Sequence, residues 1–263
     1  MPGADDLEDG LEYSFEGSDE ELGYLPTEDQ LAESSEDEIP VEKADEETKK
    51  PTKKRSKSEK HIERKKLKVR QIADLKSNIA KMNPPMVADY IAAKIKRKFP
   101  DLSALELNER LISEEQLKDT SEFSKERNLE TLPDFLNKYF GTILQTEPRQ
   151  KLIVLLAMSA IRVCDIHREL NTIPGSSLKL IKKNNLKYDI KMVNSKRSSV
   201  AVTTCGRLKK LLAEKVIDPS NITAFVVDST YLDSKVQSIW DIDDTVSSLR
   251  EFLEDTNLRI YLF

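Results

Sequence analysis

The sequence predicts an open parallel α/β sheet of about five strands with helices on both faces, and three stretches carry that prediction. Residues 199–233 read as strand, helix, strand: apolar 200–203, a helical stripe of Leu208, Leu211 and Leu212, then apolar 224–227 ending on Asp228. That spacing is a right-handed βαβ unit of a parallel sheet. Residues 152–158 are apolar at consecutive positions, hence on both faces, as a central parallel strand requires. Short strand-like runs at 178–181 and 258–262, set between helical patterns, bring the count to five.

Ahead of that domain the composition changes twice. The 263 residues are 38% hydrophobic, low for a wholly globular chain, and the deficit lies at the N-terminus. Residues 1–48 hold 19 acidic side chains against one lysine, a net −18. Such a segment buries too little apolar surface to offset its ordering entropy and is expected to be a disordered acidic tail. It is either a solvating tail or a short anchor of Leu7, Leu11, Tyr13, Phe15 and Tyr24 that folds onto a basic partner. Residues 49–70 reverse the sign, with 12 Lys or Arg against Glu59 and Glu63. Lys49, Lys50, Lys53, Lys54, Arg55, Arg64, Lys65, Lys66 and Lys68 fit nuclear import or phosphate contact, and also a merely solvated charge run. The pI near 5.4 is therefore an average of opposites.

Residues 49–100 are expected to be a basic helical extension. No Gly or Pro interrupts 58–82, so that stretch reads as an exposed helix; Pro84 and Pro85 break it, and Pro85 is placed to start the next. Val87, Tyr90, Ile91, Ile95 and Phe99 form a helical stripe that docks on the domain or on a partner. Residues 101–263 form the domain, about 160 residues, ample for one core. Ser103–Glu106 and Ser113–Gln116 have the form of capping boxes, and Thr131-Leu132-Pro133-Asp134 opens a helix through Phe135, Leu136, Tyr139 and Phe140. The helix after 152–158 buries Val163, Ile166 and Leu170; a further helix covers 186–193, and another spans Val246 to Leu253. Two cysteines make no disulfide framework and suit a reducing compartment. The N-terminus has no apolar signal region, and the longest apolar run is far below the roughly 18 residues that span a bilayer, so no membrane partner is expected.

The chemistry is read chiefly from what is missing. A nucleoside triphosphatase of this fold needs a Gly-rich loop followed by Lys and Ser/Thr. None of the seven glycines precedes a Lys, and Pro174-Gly175-Ser176-Ser177 lies after the wrong helix. No nucleotide, metal or other cofactor is therefore expected. Cys164 and His167, with no second pair, make a poor metal site. Cys205 at a helix N-terminus invites a lowered thiol pKa. Trp240 reads as a core plug, and Asp228 as a strand-end cap.

Thr204-Cys205-Gly206-Arg207 resembles the Thr-Pro-Gly-Arg motif of DEAD-box RNA helicases, and Asp228-Ser229-Thr230-Tyr231 stands where those enzymes carry Asp-Glu-Ala-Asp. The whole chain resembles the CMS family of nucleolar small-subunit pre-ribosome proteins more closely still. That match rests on residues 5–11, Met158-Ser159-Ala160-Ile161-Arg162, residues 175–183 and Tyr261-Leu262-Phe263. The resemblance implies a single degenerate RecA-like domain without its phosphate loop. Ser229 replaces the glutamate that polarises water in helicases, and the sequence ends where a helicase continues into a second RecA domain. By the same resemblance, Arg162, Thr204, Gly206 and Arg207 match RNA-backbone contacts. Lys182 and Lys183 replace a Gly-Gly pair, and Arg197 joins this candidate RNA-binding set, a face equally suited to protein. The implied function is a non-enzymatic assembly factor in the nucleus and nucleolus, with pre-ribosomal RNA and small-subunit processome proteins as partners. A residual RNA-dependent ATPase and a chromatin or replication adaptor are the alternatives.

Overall fold

The computed structural model describes residues 55–146, 151–242, 244–254 and 257–263, with side chains from Ile62 onward. The expected acidic tail and Lys49, Lys50, Lys53 and Lys54 lie outside the described residues, and Arg55 is described in backbone only.

Six strands, all parallel, form one sheet: β1 (Leu117–Lys118), β2 (Leu152–Leu156), β3 (Leu178–Leu180), β4 (Val200–Thr203), β5 (Ile222–Val227) and β6 (Ile260–Leu262), in the order β1-β6-β5-β2-β4-β3. The α/β sheet with helices on both faces is the fold expected. The sixth strand is β1, whose two residues show no readable periodicity. β2 lies at the centre, and all five of its residues are buried, because a strand covered on both faces has no polar side to give away. Alternation then sorts the core into two layers. Val154, Leu156, Phe225 and Val227 point to one side, and Ile153, Leu155, Ala224 and Val226 to the other.

The first face is covered by α2 (Pro84–Lys98), α6 (Leu186–Asn194), α7 (Cys205–Ala213) and α8 (Thr245–Leu253). The second carries α4 (Leu132–Gln145) and α5 (Ala160–Glu169). α2 settles the alternative left open by its stripe: Val87, Ile91 and Ile95 bury in the sheet's own core. Asn83 caps it, accepting from Met86 N–H, with Pro84 at the first helical position. The short α3 (Ala104–Arg110) starts at a capping box in which Ser103 and Glu106 bond reciprocally. Ahead of these, α1 (Arg55–Asn78) runs into a 3-10 turn, where Ile79 and Ala80 become fully buried.

On the second face Phe135 is fully buried among Phe123, Tyr139 and Phe263, with ring centroids 4.8–5.2 Å apart. Arg127 ties this corner to the 3-10 turn after α1 and to the end of β6. Its guanidinium donates to the carbonyls of Ala80, Leu262 (2.8 Å) and Thr120. Truncating Phe135 to Ala removes the ring around which the others pack. It is expected to cost about 3–5 kcal/mol, read as a lowered urea midpoint at unchanged m-value.

Candidate functional site

In a parallel α/β sheet ligands sit beyond the carboxyl ends of the strands, at the point where the connections turn to opposite sides. Here that point lies between β2 and β5. The chain leaves β2 through α5 on the second face toward β3, and leaves β5 through α8 on the first face toward β6. Arg162, on the first turn of α5, and Asp228, directly after β5, meet in this crevice. Ser159 caps α5, accepting from the Arg162 N–H. The Asp228 N–H donates to Leu156 O across the strand ends.

The two side chains fill the crevice with a bidentate pair. Arg162 Nε donates to Asp228 Oδ2 (2.7 Å) and Nη2 to Oδ1 (3.1 Å). The guanidinium also lies 4.2 Å from the centroid of the Tyr231 ring. Arg162 is 8% exposed and Asp228 2%. Burial pushes the Asp228 carboxyl up from its ordinary pKa, and the hydrogen bond and charge of Arg162 oppose that shift. Asp228 is thus the acceptor of an internal ion pair rather than a simple strand cap. Ser229 is fully buried, and its hydroxyl and N–H both donate to Phe263 O. The Thr230 N–H shares that acceptor.

Arg207 is engaged in the same way. Its Nε donates to Asp189 Oδ2 (3.0 Å), its Nη2 bonds the same oxygen, and Nη2 also reaches Asn184 O (3.2 Å). Asn184 returns a bond to Asp189 Oδ1 (2.9 Å) and another to Lys179 O. Asp189 is fully buried and Arg207 5% exposed. Arg162 and Arg207, two of the three arginines of the candidate RNA set, therefore point inward into buried ion pairs rather than standing free for phosphate. Arg207, through Asn184, braces the turn 181–185, on which Lys182 and Lys183 are both exposed.

The remaining candidates are scattered. Thr204 is half-buried, and its side chain makes no cap bond. Gly206 is exposed, and a Cβ placed there meets nothing within 4 Å, so no close backbone approach explains it. Arg197 is exposed but precedes β4, at the opposite rim from Lys182 and Lys183. The structure does not bring it into the set. Arg64, Lys65, Lys66 and Lys68 lie exposed along α1. Cys205 is the reverse of its expectation: burial pushes its thiol up to about 11, only partly opposed by the Thr245 hydroxyl and by a backbone hydrogen bond. His167 Nδ1 lies 2.7 Å from the Ser177 hydroxyl, a packing contact. Trp240 is buried, as a core plug should be. Among the described residues no group of three or more His, Cys, Asp or Glu is placed to hold a metal, and no helix is long and apolar enough to cross a membrane.

Two residues of consequence were missed by sequence reasoning. Asp189 had a signal: it shares the inner face of α6 with Leu186, Met192 and Val193, and a carboxylate in an apolar stripe demands a buried cation. Asp241 had none.

The molecule is thus a parallel α/β domain whose switch-point crevice holds an internal ion pair. The comparisons identify its family. The family model described as CMS1, U3-containing 90S pre-ribosomal complex subunit, matches residues 34–261, and the chain belongs to that family. It is 30% identical over 196 residues to Protein CMS1 of Chaetomium thermophilum, covering 71% of this chain and 78% of that protein. To Protein CMS1 of Saccharomyces cerevisiae it is 28% identical over 199 residues, 69% of this chain and 65% of that one. Protein cms1 of Schizosaccharomyces pombe is 23% identical over 191 residues, 71% and 68% of the two chains.

Replacing Arg162 by Met strands a buried carboxylate and is expected to cost about 3–5 kcal/mol at neutral pH. The loss should grow as pH rises from about 4. The folded protein then holds the Asp228 proton more tightly than the unfolded chain does, and this contribution disappears once that proton leaves. Urea melts across pH check both effects, and Arg162→Met/Asp228→Leu should recover most of the neutral-pH loss.

Proposed function

We propose that this protein is a non-enzymatic assembly factor of the 90S pre-ribosome, a rigid platform for RNA and neighbouring proteins in the nucleolus. The observation that carries the reading is the Arg162–Asp228 pair, which uses the crevice carboxylate to hold the fold rather than a ligand. Ser229 adds to it, since a hydroxyl bonded to Phe263 O cannot stand in for a carboxylate base. Family membership supports the setting, because the family's description is of a U3-containing 90S pre-ribosomal subunit. Lys182 and Lys183 on their braced turn, together with the basic face of α1, are the cations offered outward to phosphate.

Tagged full-length protein purified from growing cells should recover precursor ribosomal RNA, U3 RNA and processome proteins; recovery of none of these contradicts the proposed setting. The non-enzymatic part is tested by the neutral pair Arg162→Met/Asp228→Leu. A folded double variant should support precursor processing as the wild type does. Failure of processing in a variant with a wild-type melting curve would show that the pair acts in chemistry.

A further inference from the structure

Among the described side chains, α1 meets the body in its C-terminal half. Ile72, Ala73, Lys76 and Ser77 are half-buried, whereas every residue from Ile62 to Lys68 is exposed. The attachment is a cluster of charges. Lys76 Nζ donates to Asp241 Oδ2 (2.8 Å) and Val236 O (2.8 Å), and Lys94 of α2 bonds Asp241 Oδ1. The Asp241 carboxylate also accepts from Ser238 N–H and Oγ. One carboxylate thus joins α1, α2 and the loop that follows the crevice.

Beyond that joint the helix carries Arg64, Lys65, Lys66, Lys68 and Arg70, all exposed. At about 100° per residue they cover roughly two-thirds of the helix circumference. A cation arc that wide does not lie flat against one phosphate strand; it meets phosphate on both flanks at once, as between the two backbones of a duplex. The helix contains no Phe, Tyr or Trp in its 24 residues and a single His, so it lacks the successive aromatic platforms on which single strands stack. Duplex RNA is bound through shape and phosphate contacts that need no such platform.

We propose that α1 is a duplex-RNA-binding arm, held at a fixed angle to the sheet by the Lys76–Asp241–Lys94 cluster. The inference rests on the RNA-contacting part of the proposed function and specifies which RNA form is bound and by what. Lys76 is a positioning residue: it sets where the cations stand and touches no phosphate.

The test is fluorescence anisotropy on the full chain, using a labelled RNA duplex of about 20 base pairs and its single strand over a range of salt. The wild type should prefer the duplex at least about tenfold. Changing Arg64, Lys65, Lys66 and Lys68 together to Gln should abolish that preference and make the log–log salt slope shallower by about 3. Lys76→Met, shown folded by its thermal melt, should weaken duplex binding several-fold with the slope unchanged, because the same cations make contact from a loosened arm. Equal binding of duplex and single strand, or an unchanged salt slope in the quadruple variant, overturns the inference while leaving RNA contact elsewhere intact. Displacement of the duplex by poly-glutamate at matched charge would instead assign the arm to an acidic protein. Absence of any RNA binding by the wild type would count against the RNA contact in the proposed function as well.

Discussion

The ion pair between Arg162 and Asp228 constrains more of this molecule than any other contact. It joins the exits of the two central strands, 66 positions apart in sequence, where both side chains are buried. With both charges buried, each is tolerable only because the other is there. The loop that starts at Asp228 is thereby fixed at its origin. Ser229 and Thr230 bond to Phe263, and eleven positions further on Asp241 gathers Lys76 and Lys94. The placement of α1 therefore traces back, through one loop, to the crevice of the sheet.

Magnitudes decide how the cations divide their work. Drawing Arg162 or Arg207 out to an RNA phosphate would break a buried pair at about 3–5 kcal/mol, whereas a charge-assisted hydrogen bond returns roughly 1.5–3 kcal/mol. The exchange is unfavourable. Under the proposed function, contact with polyanion therefore falls to side chains with no buried pair to break, the exposed lysines and arginines of the 181–185 turn and of α1. The Asp241 joint is robust in the same terms. Burial favours the protonated acid, but hydrogen bonds from Lys76, Lys94 and Ser238 outweigh it and hold the carboxyl at about 2. That stabilisation is complete above the ordinary Asp value near 4 and fades only as pH falls toward 2.

The layered architecture was legible because a central parallel strand has no choice but to be apolar on consecutive residues, and 152–158 and 224–227 are. Turn chemistry was legible for the same local reason: the Ser103 and Ser113 capping boxes act within four residues. β1 was not, since two residues hold no period. The fate of the α2 stripe was not either, because an apolar helical face looks alike whether it meets its own sheet or a partner. The site was half legible. Resemblance singled out Arg162, Arg207 and Asp228 as a set of interest, but their partners lie 18 and 66 residues away, and no local pattern encodes such a pairing. Asp189, though missed, carried a local signal as a carboxylate on an apolar face.

The proposed non-enzymatic function requires that the crevice between β2 and β5, held by the Arg162–Asp228 pair, take no nucleotide. Isothermal titration of magnesium-ATP into the full chain, alone and with duplex RNA present, addresses it most directly. The account predicts no binding heat at millimolar nucleotide in either case. Saturable binding, above all binding that tightens when RNA is added, would contradict it.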